Sequence, residues 1–118
     1  MAYSDSGLDD QVNGIASAAT RISFHTSDPG TTGSGEISGT GRPATTWAAA
    51  SASTSPVGRQ RVGSQVSAPI PASTTVTHWG LWTAASGGTF KYGGALPAPE
   101  AFGSAGTIQF TPTLVITN

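Results

Sequence analysis

Two hydrophobic periods divide this chain. Up to residue 19 the apolar positions fall at helical spacing, with Leu8, Val12, Ile15 and Ala19 on one stripe of a helix drawn over 5–19. Ser6 is placed to cap it. Asp9 and Asp10 stand in its first turn, where the helix dipole favours acids. Gly7 and Gly14 each cost about 1 kcal/mol relative to alanine, so this helix needs a surface to pack on.

From residue 21 onward apolar and polar residues tend to alternate, the period of a strand. In 21–26, Ile22 and Phe24 face one way and Ser23 and His25 the other. Further strands are predicted at 45–51, 62–68 (ended by Pro69 and Pro71), 74–84 and 90–96 (ended by Pro97 and Pro99). Ser86-Gly87-Gly88 is the turn between the last two. In 74–84 strict alternation puts Val76, His78, Gly80 and Trp82 on one face and Thr77, Trp79 and Leu81 on the other. Both faces then carry a tryptophan, which calls for cover on both sides, by the N-terminal helix or a neighbouring subunit. The final strand alternates Ile108, Phe110, Leu114 and Ile116 with Thr107, Gln109, Thr113 and Thr117. Pro112 interrupts it, as at an edge or a bulge.

Six short strands behind one helix predict an all-β chain. The fold class is an antiparallel β-sandwich or jelly-roll-like domain with a short N-terminal helix. At 118 residues it is one domain, 1–118. Two low-complexity stretches, 30–41 and 48–56, read as extended loops or arms. Leu, Ile, Val and Phe together make up only about 17% of the chain. Six aromatics, Phe24, Trp47, Trp79, Trp82, Phe90 and Phe110, are therefore expected to carry much of the core, each burying about 150–250 Å².

Charge narrows the partners. The net charge is -1 and only 9% of residues are charged. Arg21, Arg42, Arg59, Arg61 and Lys91 are scattered, so a nucleic-acid partner is disfavoured. No apolar run approaches the roughly 18 residues of a membrane span, and the acidic start does not read as a signal peptide. Surface charge this sparse suits a subunit covered by neighbours, a homo-oligomer or a piece of an assembly. The alternative is a monomer kept soluble by Ser and Thr hydroxyls.

The segment 24–39 concentrates the candidate chemistry. His25, Asp28 and the nearby serines could mimic a Ser/His/Asp set. Against that, Asp28-Pro29-Gly30 is turn chemistry and no serine sits in a G-x-S-x-G elbow. Asp28 and Glu36 could join backbone carbonyls around calcium, but the D-x-D-x-D spacing is missing. Neither His25 nor His78 has a partner at metal-ligand spacing. The Gly33-x-Gly35 and Gly39-x-Gly41 pairs lack the lysine of a phosphate loop. No catalytic residue, metal or cofactor is predicted. Exposed tryptophans could instead form a platform for a host surface glycan.

The residues also carry a resemblance. The pattern runs Ile22-x-Phe24-His25-Thr26-x-Asp28-Pro29-Gly30, then Gly35-Glu36-Ile37-Ser38-Gly39 and Arg42. A Thr46-Trp47-x-Ala49-Ala50 strand and the run Thr77-His78-Trp79-Gly80-Leu81-Trp82-Thr83-Ala84 before Gly87-Gly88 complete it. This order resembles a family of small structural proteins of actinobacterial tailed phages, usually described as minor tail or tail-fibre-like proteins. Ser27 stands where that family commonly has Gly. The resemblance extends from Leu8 to the last strand. It implies a non-enzymatic virion component, made in the host cytoplasm, whose partners are other phage tail proteins. On this reading Asp28, Pro29, Gly30, Gly33, Gly35 and Glu36 belong to a turn and candidate assembly arm. A capsid decoration protein is the alternative within the same class, and a carbohydrate-binding attachment module the alternative outside it.

Overall fold

The structure, a computed structural model, describes residues 4–54 and 57–117. One helix, α1 (Asp5–Ala18), precedes eight strands: β1 (Arg21–His25), β2 (Ser51–Thr54), β3 (Val57–Val62), β4 (Val66–Ile70), β5 (Thr74–Trp82), β6 (Phe90–Phe102), β7 (Gly106–Phe110) and β8 (Thr113–Thr117). They form three antiparallel sheets, ordered β1-β5-β6, β2-β3-β8 and β4-β7. This is an all-β, sandwich-like architecture in a body 45 Å long and 27 × 24 Å across.

The helix begins at Asp5, as drawn, but its cap is Ser4 and not Ser6. Ser4 has extended backbone geometry and its hydroxyl accepts from the Gly7 amide at 3.1 Å. Ser6 lies inside the first turn, with Asp5 its acid. Leu8, Val12 and Ala16 are buried, and α1 packs on β3 and β8. Asp9 holds Arg59 of β3 at 2.6 Å, and Arg61 reaches Asn13.

The core lies between the inner face of the β1-β5-β6 sheet and the β4-β7 pair. Ile22, Phe24, Trp79 and Leu81 meet Val66, Ala68, Ile70 and Ile108 there. Phe110 joins them edge-on to Phe24 (centroids 6.0 Å) and tilted against Trp79 (5.5 Å). Of the six expected core aromatics, Phe24 and Trp79 are buried, while Trp47, Trp82, Phe90 and Phe110 are half-buried.

Strand boundaries depart from the sequence pattern where tertiary context outweighs local preference. The stretch 45–51 is not a strand. It contributes only an isolated bridge from Trp47 to Gly63, and its ladder begins at Ser51. The expected arm 48–56 therefore contains β2, paired antiparallel with β3, while residues 55–56 lie outside the described residues. The expected strand 62–68 is divided, with β3 ending at Val62 and β4 running from Val66 to Ile70. Pro69 is tolerated inside β4 because that strand has a partner on one side only. Pro97 and Pro99 likewise sit within β6, at the edge of its sheet and opposite a register shift. Pro112 separates β7 from β8, which enter different sheets.

That register shift, between Val76 and His78 of β5, also corrects the predicted faces. There residues 96–99 of β6 lie opposite residue 77 of β5 alone, so the ladder between the two strands is irregular. Val76 joins Trp79 and Leu81 in the core, while Gly80 and Trp82 occupy the opposite face, as the alternation placed them.

Candidate functional site

The opposite face of the β1-β5-β6 sheet holds the polar cluster. β1 presents Ser23 and His25 there, and β5 presents Gly80 and Trp82 opposite and beside them. Ser23 and His25 are fully buried although they lie on the outer side of their sheet. Their cover is the chain's own segment 26–42. This segment was expected to extend as an assembly arm over 30–41. Instead it folds back as a strap along the outer edge of β1.

The strap is tied to β1 by backbone hydrogen bonds. The Ile22 amide donates to the Pro43 carbonyl at 3.0 Å, the Ile37 amide to Phe24 at 2.8 Å, and the Thr26 amide to Gly35 at 3.2 Å. Within it, the Asp28 carboxylate accepts from the Gly30 amide at 2.9 Å, and the Pro29 carbonyl accepts from Gly33 and Ser34. Pro29, Ile37 and Thr40 are buried. Gly33 has a φ of +79° and lies against Trp82. A Cβ there would stand 2.5 Å from the indole, so glycine supplies both the left-handed backbone and the clearance. Gly80 does the second job on the sheet, since a Cβ on it would reach Ser23 Oγ at 2.5 Å.

Beneath the strap the hydrogen bonds form a single chain. The Ser34 carbonyl, which can only accept, lies 2.7 Å from His25 Nδ1, so Nδ1 carries the proton. His25 Nε2 then accepts from the Ser23 hydroxyl at 2.7 Å, and Ser23 Oγ accepts from Trp82 Nε1 at 2.8 Å. Burial holds the His25 pKa below its ordinary 6.5. Arg42 and His78 act in the same direction, opposed by the Ser34 carbonyl and Glu36. The imidazole is therefore neutral at pH 7.

Arg42 closes the arrangement from the far end of the strap. Its Nε and Nη2 donate to the two carboxylate oxygens of Glu36, both at 2.8 Å. Nη1 donates to the carbonyls of Ala84 (3.1 Å) and Gly87 (2.8 Å) in the β5–β6 turn. The guanidinium carbon stands 3.8 Å from the centroid of the Trp82 ring, in cation–π geometry. Phe90 meets the same indole at 5.3 Å. Glu36 raises the Arg42 pKa further, so the cation is permanent. Arg42 adopts a φ of +42°, unusual for a side-chain-bearing residue, and these five contacts offset that cost.

Trp82 is thus partly covered by the strap and not by the helix, which packs on β3 and β8. A shallow hollow of about 290 Å³ lies between 36–42 and 85–87, with the paired Glu36 and Arg42 at its wall.

Chemically, a serine hydroxyl on a histidine nitrogen resembles a nucleophile and its base. Here the other histidine nitrogen meets a carbonyl instead of a carboxylate, and Asp28 is committed to its turn. Among the described residues no three of His, Asp and Glu converge as a metal site. Of the sequence-predicted site residues, the structure brings Gly33 and Glu36 to the Trp82 cluster and leaves Asp28, Pro29 and Gly30 in the turn before it. Arg42 was not among them. Its signal lay in the motif that links Glu36 to an arginine across a glycine-rich spacer.

Residues 8–117 match the family described as Podophage GP4 fiber I protein gp80, and the chain belongs to that family. It is a phage fibre-type structural protein, a component of the virion, as the tail-fibre-like resemblance implied. No curated protein matches the chain at a significant level.

Proposed function

We propose that this chain is a non-enzymatic subunit of the tail of an actinobacterial phage, a minor tail protein at or near the tail tip. It acts by self-assembly and by packing against other tail proteins. The family match over 8–117 supports the fibre-type structural part of this reading, and the tail-protein motifs support its placement on the tail. The sheet edges supply its mechanism, β-augmentation. β6 ends its sheet but bears Lys91, Pro97, Pro99 and Glu100, features that discourage edge pairing. β8 also ends its sheet, and Thr113–Thr117 carries neither charge nor proline. The β8 edge is the proposed contact between copies, taking over the role expected of the arms.

Light scattering of the purified chain, with and without Val115→Lys, tests the self-assembly. An oligomer that the substitution dissociates supports it, and a wild-type monomer at high concentration argues against it. Gold-labelled antibodies on intact virions test the location. Label at the tail tip supports the reading, and label on the head favours the capsid decoration alternative. A glycan platform is disfavoured by the guanidinium that already occupies the face of Trp82.

A further inference from the structure

The chain has two histidines, and the fold sets them opposite each other. His25 of β1 and His78 of β5 are direct cross-strand partners, so their side chains leave the sheet on the same side. His25 is fully buried, and the strap that covers it is attached at the same residue, through the bridge between His25 and Glu36. His78 is half-buried, with Nδ1 2.8 Å from the Thr77 hydroxyl.

Proton uptake by His25 conflicts with this geometry at several points. Nε2 would become a donor facing Ser23 Oγ, which already accepts from Trp82, so the serine proton would lose its acceptor. The new charge would lie in a site closed to water. The charged and titratable groups facing it are Arg42 and Glu36 from the strap and His78 from β5. Arg42 and His78 both act against the charged form. Glu36, the one compensating anion, is engaged by Arg42 through both oxygens.

We propose that the strap 26–42 is an acid-releasable cover. At neutral pH the uncharged His25 holds it shut through the Ser34 carbonyl. Below the ordinary histidine range, opening lets the imidazole charge in water and exposes two surfaces. One is the Trp82 and Phe90 face of the sheet. The other is the outer edge of β1, whose Ile22 and Thr26 amides and Phe24 carbonyl are now taken by Pro43, Gly35 and Ile37.

The sign follows from linkage. A histidine whose folded-state pKa is lowered contributes stability that is full at pH values well above 6.5. That contribution falls away as pH drops from 6.5 toward the folded-state value. Between those limits the opening equilibrium rises by up to about tenfold per pH unit.

Hydrogen exchange followed by NMR from pH 7.5 to 5, corrected for intrinsic rates, reads this directly. The strap amides of Thr26 and Ile37 and the Trp82 indole N–H are expected to lose protection across that window. The amides of α1 hold theirs, and loss occurs in step with titration of the His25 ring. His25→Gln is expected to flatten the profile. His78→Thr, which leaves the buried network in place, is expected to reduce the loss by removing one repelling group. Constant protection in the wild type overturns the proposal, as does an unchanged profile in either variant or simultaneous loss in α1 and the strap.

Discussion

The two faces of the β1-β5-β6 sheet are built from alternate residues of the same strands and held by different physics. On the inner face Phe24, Trp79 and Leu81 pack against Phe110, Ile108 and their neighbours. Dispersion and the removal of apolar surface from water stabilise that side, and neither is strongly directional. On the outer face Ser23, His25 and Trp82 are joined by hydrogen bonds of 2.7–2.8 Å, and Arg42 lies over Trp82 while its own hydrogen bonds go to Glu36, Ala84 and Gly87. A dry face tolerates changes of shape that keep volume. A buried polar face fails when one atom is lost, because the partner left behind stays out of water.

Substitutions separate these regimes. Phe24→Ala is expected to have the largest effect, a loss of about 3–5 kcal/mol in urea unfolding, because it opens a cavity at the centre of the core. Phe24→Leu should recover most of that loss. Ser23→Ala removes one oxygen but orphans both the Trp82 indole N–H and His25 Nε2. A loss of about 2–4 kcal/mol is expected, and a cost close to zero would erase the contrast between the faces. Gly33→Ala forces a left-handed backbone and displaces Trp82. About 2 kcal/mol and a red-shifted tryptophan emission are expected. Lowering the pH from 7.5 to 5 should weaken the polar face and spare the dry one. Thermal unfolding of the wild type should lose stability in that interval, and His25→Gln should lose less. The smallest effect belongs to neither face. Asp9→Asn breaks the solvated pair with Arg59, and the drop in melting temperature should fall below all the others and vanish in high salt.

The strap also changes what a deletion should do. A free arm at 30–41 could be removed without unfolding the domain. Residues 30–41 instead contribute buried Ile37 and Thr40 and the Glu36 that holds Arg42. Their removal is expected to expose the Ser23–His25 face and destabilise the fold.

Much of this was legible in the residues. Periodicity marked α1, the alternation in β1 and β7, and the turn at Ser86-Gly87-Gly88, because those signals depend on neighbours three or two residues apart. Asp28-Pro29-Gly30 announced a turn by its own backbone preferences. The phage structural class was readable from the ordered motifs, and the requirement that both faces around Trp79 and Trp82 be covered followed from the alternation in 74–84. Tertiary structure decided the rest. The irregular pairing beside Val76 depends on the partner strand, and prolines 69, 97 and 99 survive in strands only because those strands stand at edges. The glycine-rich strap looked free because glycine, serine and threonine have no burial preference strong enough to be read from sequence. What fixes it is a set of contacts between residues far apart in the chain, Arg42 with Trp82 and with the turn at 84–87. No local pattern encodes such distances, so the sequence could name the polar residues of this loop while the fold alone made them a lock.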